Sequence, residues 1–197
     1  MNNSSAITTT TTRNDKTYFG FWTYLMTDII LFASLFATYA VLRNNTATGP
    51  TSHQIFDLPY VLIETLLLLT SSFVCGLALF AAKSQRRLMA ALLFGATFVL
   101  GATFVGLEVG EFASLVREGD SWQRSAFLSA FFTLVGTHGL HISAGLLWLV
   151  ILGIQAMRFG LSESVMRRLT LFSMFWHFLD IIWIFIFTIV YLMGVAA

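Results

Sequence analysis

Charge is what this 197-residue chain has least of: 11% of its residues are Asp, Glu, Lys or Arg, against 57% hydrophobic. A soluble domain carries about a quarter charged residues, and its dispersion in water depends on them. The deficit, with a mean hydropathy of +0.79, excludes an ordinary water-soluble domain. Basic residues are also too few for a nucleic-acid partner, since the net charge is +1 and the densest group is Lys83, Arg86 and Arg87. Cysteine is scarcer still. A single Cys75 excludes an intrachain disulfide and any multi-cysteine metal site, and its apolar surroundings suit a buried, inert thiol.

What is present is long apolar sequence. A helix crossing about 30 Å of hydrocarbon needs about 20 apolar residues, and five stretches qualify: 19–42, 60–82, 88–112, 126–157 and 169–194. The expected fold is therefore all-α, a single five-helix transmembrane domain over residues 18–197 preceded by a polar tail, 1–17. The Thr-rich tail receives no structural assignment. The first apolar stretch exceeds a signal-peptide core and contains Asp28, so it is expected to be an uncleaved first helix. Gly49-Pro50 is the clearest turn signal between spans. Twenty Phe and five Trp suit packing against acyl chains and headgroups.

Basic residues orient the chain. Arg13, Lys16, Lys83, Arg86, Arg87, Arg158, Arg167 and Arg168 fall on one side, and Arg43, Arg117 and Arg124 on the other. Eight of the eleven mark the cytoplasmic side, which predicts a cytoplasmic N-terminus and a periplasmic C-terminus. Small residues predict close helix contacts at Ala102, Gly106 and Gly110 in the third span, and at Gly136, Gly139 and Gly145 in the fourth.

No Lys or Arg lies within a span, yet the spans hold Asp28, Glu64, Glu108, Glu111, His138, His141, His177 and Asp180. An ionised Asp at mid-span costs about 2.5–3.5 kcal/mol, so such groups are expected to face the bundle, a partner or the headgroup boundary. Glu64, Glu108 and Glu111 are expected near the outer ends of their spans, where the cost is small, and the remaining five deeper. Without an intrahelical cation, the deep carboxylates must be protonated or bonded to His, hydroxyl or indole groups. His177 and Asp180 share a helix face at a spacing that permits a direct bond, as do Tyr24 and Asp28, while His138 and His141 lie one turn apart. Three readings of this set stay open. The histidines could ligate a metal or haem in a membrane redox protein, the acids could form a proton path in a small transporter or channel, or all could be interhelical hydrogen bonds.

The same residues carry a family pattern: FGFWTYLMTD at 19–28, LFASLFATY at 31–39, IFDLPY at 55–60, Glu64-Thr65, GTHGLH at 136–141, WHFLDIIW at 176–183 and VYLMG at 190–194. With them the chain resembles subunit III of haem-copper terminal oxidases, in particular the five-helix form of bacterial cytochrome bo-type quinol oxidases. The resemblance implies two helix bundles with a lipid-filled cleft between them. It implies a non-catalytic chain without cofactors of its own, in a multi-pass position in the bacterial inner membrane. Haems and copper would sit in subunit I, the main partner, with subunit II, a small subunit IV and bound phospholipid as further partners. Glu64 matches the family's membrane-embedded glutamate, which implies a place at the lipid cleft or in proton uptake by subunit I. Asp28, His138, His141, His177 and Asp180 match positions that tie helices together without binding metal. Arg43, at the outer end of the first span, is a candidate phospholipid-headgroup contact. The third subunit of a cytochrome c oxidase is the related alternative.

Overall fold

The structure is a computed structural model that describes residues 3–46 and 58–196, with side chains over 16–46 and 58–195. All regular structure among these residues is helical. The helices are α1 (Asn3–Leu42), α2 (Leu58–Lys83), α3 (Arg87–Arg117), α4 (Ala126–Phe159) and α5 (Glu163–Ile186). A π-helical turn (Phe187–Leu192) and a last short helix, α6 (Met193–Ala196), continue α5. Five helical segments, 16–42, 58–83, 87–117, 126–159 and 163–195, have the length and apolar composition to cross a membrane. Each expected span is thus present, and the ends extend into the flanking polar residues, because helix formation satisfies backbone groups beyond the apolar run. The tail behaves differently from its composition, since α1 begins at Asn3. The Gly49-Pro50 turn lies outside the described residues.

Packing follows the order of the chain only in part. α2 and α3 form an antiparallel hairpin, α4 packs on α3 and α5, and α5 returns to lie against α2. α1 is seated against α4 and, more lightly, α5. The core is aromatic: Trp176, Trp183, Phe104, Phe131 and Phe172 are fully buried. Large apolar side chains such as Ile30, Phe80, Leu92 and Leu140 point outward, as helices do when the surrounding solvent is hydrocarbon.

Two glycines make the closest contacts. A Cβ on Gly101 would stand 2.9 Å from the Trp176 ring, and one on Gly139 would stand 2.5 Å from Glu108 Oε1. Gly145 also faces Trp176, and Gly136 faces Phe112. Gly106 and Gly110, by contrast, meet nothing within 4 Å. The expected Ala102-Gly106-Gly110 contact stripe is therefore corrected for its two glycines. The face that approaches other helices is the one carrying Gly101 and Glu108, because that face holds the core aromatic residues.

Candidate functional site

The polar residues inside the bundle form three groups. The first is a seam between α2 and α5. Thr65, Ser71, Ser72 and Cys75 recur along the inner face of α2, and Ser173, Trp176, His177, Asp180 and Trp183 along that of α5. Trp183 Nε1 donates to Thr65 Oγ1 at 3.0 Å, and Trp176 Nε1 donates to Ser71 Oγ at 3.2 Å. Ser71 Oγ in turn donates to the Thr97 carbonyl of α3 at 3.2 Å, and Cys75 Sγ lies 3.9 Å from Ser173 Oγ. Ser72 Oγ meets His177 Nδ1 at 2.6 Å, and Asp180 Oδ1 has no hydrogen-bond partner among the described residues. His177 and Asp180 share the expected face, and the imidazole is engaged by Ser72 of α2, with no direct His177–Asp180 bond among the described residues. A buried indole N–H or imidazole without a partner is costly, so each donor on α5 fixes the register of α2.

The second group joins α1 to α4. His141 Nδ1 bonds the Thr137 carbonyl at 2.7 Å and therefore carries a hydrogen, which leaves Nε2 facing Asp28 Oδ1 at 3.9 Å. Tyr24 shares the helix face of Asp28 at a four-residue spacing, and Asp28 Oδ2 has no hydrogen-bond partner among the described residues. Phe32 covers His141 with a centroid separation of 5.3 Å.

His138 departs from the expected polar tie. It is fully buried, and neither ring nitrogen has a hydrogen-bond partner among the described residues. Its ring stacks on Trp183 at 5.3 Å and meets the edges of Phe104 and Phe32 at 6.1 and 6.3 Å. The contact across helices is thus made by ring packing, since each neighbour on the facing helices presents an aromatic surface.

The third group is acidic. Glu64 of α2 has no exposed surface, and neither carboxyl oxygen has a partner among the described residues. Glu108 is buried against Gly139 of α4, and Glu111 accepts a 3.2 Å hydrogen bond from Tyr191 Oη in the π-helical turn. Glu64, Glu108 and Glu111 lie within electrostatic reach of one another. α3 continues to Arg117, about 14 Å beyond Glu108 along the helix. One expectation changes. Glu64 does not reach a lipid-facing surface in this chain, because the hairpin partner and α5 enclose it. Arg43 lies half-buried just beyond α1, its N–H bonded to the Tyr39 carbonyl at 2.9 Å.

Thr65 and Tyr191 fall within the family pattern, but neither they nor Ser71 and Ser72 have a role legible in the sequence. Thr65, Ser71 and Ser72 were visible as polar interruptions of an apolar run, and their spacing matches the donors on α5. The π-helical turn has no comparable signal. It aims Tyr191 at Glu111 and leaves the Val190 carbonyl to accept from Tyr39 Oη at 3.4 Å. Among the described residues, no three His, Cys, Asp or Glu side chains converge as a metal site requires.

A helical bundle with these polar seams is matched by known proteins over almost its whole length. The family model described as cytochrome c oxidase subunit III matches residues 3–195. The cytochrome bo(3) ubiquinol oxidase subunit 3 of Pseudomonas aeruginosa is 57% identical over 179 residues, 91% of this chain and 86% of that one. The protein of the same name from Buchnera aphidicola subsp. Baizongia pistaciae is 46% identical, covering 92% and 93% of the two chains. The cytochrome c oxidase subunit 3 of Bacillus sp. strain PS3 is also 46% identical, covering 91% and 86%. With that coverage, and with its five apolar helices, the chain belongs to the cytochrome c oxidase subunit III family.

Proposed function

We propose that this chain is the third, non-catalytic subunit of a proton-pumping ubiquinol oxidase in a bacterial inner membrane. The observation that carries the reading is the 57% identity, over 91% of the chain, to a protein named as subunit 3 of a ubiquinol oxidase. A non-catalytic part is supported by the interior: the hydroxyl, indole and imidazole groups of the α2–α5 seam are engaged with one another and hold helices in register. The chain's work is then assembly, stability and lipid organisation around subunit I, which supplies the haems and copper, alongside subunits II and IV.

The N-terminus is assigned to the cytoplasm and the C-terminus to the periplasm on the eight-to-three distribution of basic residues. The division into two bundles with lipid between them is carried over from the family resemblance. Glu64 is assigned to the proton-related half of its expected role, because its enclosure removes it from the lipid surface. Arg43 keeps its proposed headgroup contact, supported by its place at the end of α1.

Copurification tests the reading. The tagged chain, extracted in mild detergent, is expected to bring down chains identifiable by mass as oxidase subunits I and II, with haem absorbance in the complex. The chain purified alone is expected to show no Soret band and to move no substrate in proteoliposomes. Haem bound stoichiometrically to the isolated chain would overturn the proposal in favour of a histidine-ligated redox protein. The Bacillus relative's name favours a second reading, a cytochrome c oxidase. Oxygen consumption by the complex with ubiquinol or with reduced cytochrome c separates the two.

A further inference from the structure

One feature of the surface lies outside the polar seams and far from Arg43. A groove of about 630 Å³ runs between α3 and α4 and is closed at one end by Leu161 and Leu169. Its volume falls within the range of roughly 300–1,000 Å³ typical of small-molecule sites. Its walls are apolar, built by Ala90, Phe94 and Phe98 of α3 and by Leu149 and Ala156 of α4. Two glycines open it. Gly95 and Gly153 both line the groove, and a Cβ on either would meet nothing within 4 Å. Side chains that would fill the space are absent from both walls.

Arg87 stands among the lining residues at the polar end of α3. Its guanidinium lies across the end of α4, where a Cβ on Gly160 would come within 3.2–3.3 Å of it. Gly160 has φ +64, a backbone that a larger residue adopts only with strain, so glycine serves both the turn and the approach of Arg87. Positive potential accumulates here from other sources. Arg87 opens α3, whose N-terminal N–H groups receive no side-chain cap and carry the positive end of the helix dipole. Lys83, Arg86 and Arg158 flank the same end of the bundle, with Glu163 the nearby acid. The combination is an apolar groove with the Arg87 cation among its lining residues at one end.

We propose that the α3–α4 groove binds one anionic phospholipid, an acyl chain lying along Gly95 and Gly153 and the phosphate paired with Arg87. Basic pockets between transmembrane helices on the cytoplasmic side bind anionic headgroups, and the Arg87 end is the cytoplasmic one in the orientation proposed above. The lipid is thus in the leaflet opposite to the one Arg43 would contact. The site rests on the proposed lipid role of this chain. It names the leaflet, the headgroup charge and the residues, and it is independent of which oxidase the chain serves.

The test uses the intact complex in nanodiscs of phosphatidylglycerol and phosphatidylethanolamine, with retained lipids counted by native mass spectrometry after mild delipidation. The wild-type complex is expected to keep one phosphatidylglycerol that Gly153→Trp loses, the indole occupying the open groove. Arg87→Gln is expected to weaken phosphatidylglycerol retention about tenfold and to leave phosphatidylethanolamine unaffected. A photoreactive phenylalanine analogue at Phe98 is expected to crosslink to lipid in the otherwise wild-type complex, which keeps the proposal testable if the tryptophan variant does not assemble. Crosslinking of Phe98 to another protein chain, or full phosphatidylglycerol retention in both variants, overturns it. A chain that copurifies with no oxidase subunit contradicts the subunit reading instead, and the lipid count can still be made on that chain.

Discussion

Trp183 of α5 and Thr65 of α2 are joined by a 3.0 Å hydrogen bond from indole to hydroxyl, one residue away from Glu64, whose carboxyl group has no hydrogen-bond partner among the described residues. The bond closes a layer in which Trp183 also stacks on His138 and meets the edge of Phe104 at 4.7 Å. Three helices are thereby fixed relative to α5 by one side chain. Trp183→Phe keeps most of the ring packing and deletes the donor. The pair Trp183→Phe and Thr65→Val is expected to show a coupling near 0.6 kcal/mol, the average for hydrogen bonds between membrane helices. Additive losses of thermal stability in the double-mutant cycle would remove the bond from the account.

Ser72 bonds His177 across the α2–α5 seam. Ser72→Ala strips the imidazole of that partner, so it is expected to lower the melting temperature of the assembled complex more than Ser84→Ala, an exposed site at the end of α2. Asp180→Leu is expected to impair assembly and to leave the haem spectra of whatever complex forms unchanged. Assembly of the leucine variant at the normal yield contradicts a tying role for Asp180.

Among the glycines of the bundle, Gly139 leaves the least room for a Cβ, with the Glu108 carboxyl group packed over it. Gly139→Ala places a methyl group 2.5 Å from a carboxyl oxygen, an overlap that costs about 1–3 kcal/mol when a packed core cannot yield. Shortening the acid relieves it, so Gly139→Ala with Glu108→Ala is expected to be more stable than the sum of the single variants predicts. Pulse-proteolysis midpoints of the four proteins decide the question, and simple additivity counts against the contact.

Glu64 makes no hydrogen bond among the described residues. Glu64→Gln, which keeps the shape, is therefore expected to leave assembly and yield at wild-type levels. If Glu64 supports proton uptake by subunit I, the same variant is expected to lower the protons pumped per electron or shorten the turnover lifetime of the complex. Pumping and lifetime identical to wild type would end its proton-related role.

The sequence read clearly where the physics is local. Five apolar runs of the right length require five helices, because a backbone in hydrocarbon must satisfy its own hydrogen bonds. A three- or four-residue spacing requires a shared face, which placed His177 beside Asp180 and Tyr24 beside Asp28. Helix ends were less legible than spans: apolarity ends near Phe112, while α3 itself runs on to Arg117.

What only the tertiary structure decided was the partner across each gap. Spacing within one helix says nothing about rotation of the next. Ser72 as the partner of His177, the aromatic enclosure of His138, and the choice of Gly101 over Gly106 as a contact therefore had to come from packing. The acids and histidines that the sequence marked as costly in a membrane are accommodated in different ways, by hydroxyls, by stacked rings or by burial together. Which applies to each residue depends on the face its neighbour presents, a property of the assembled bundle and not of any one span.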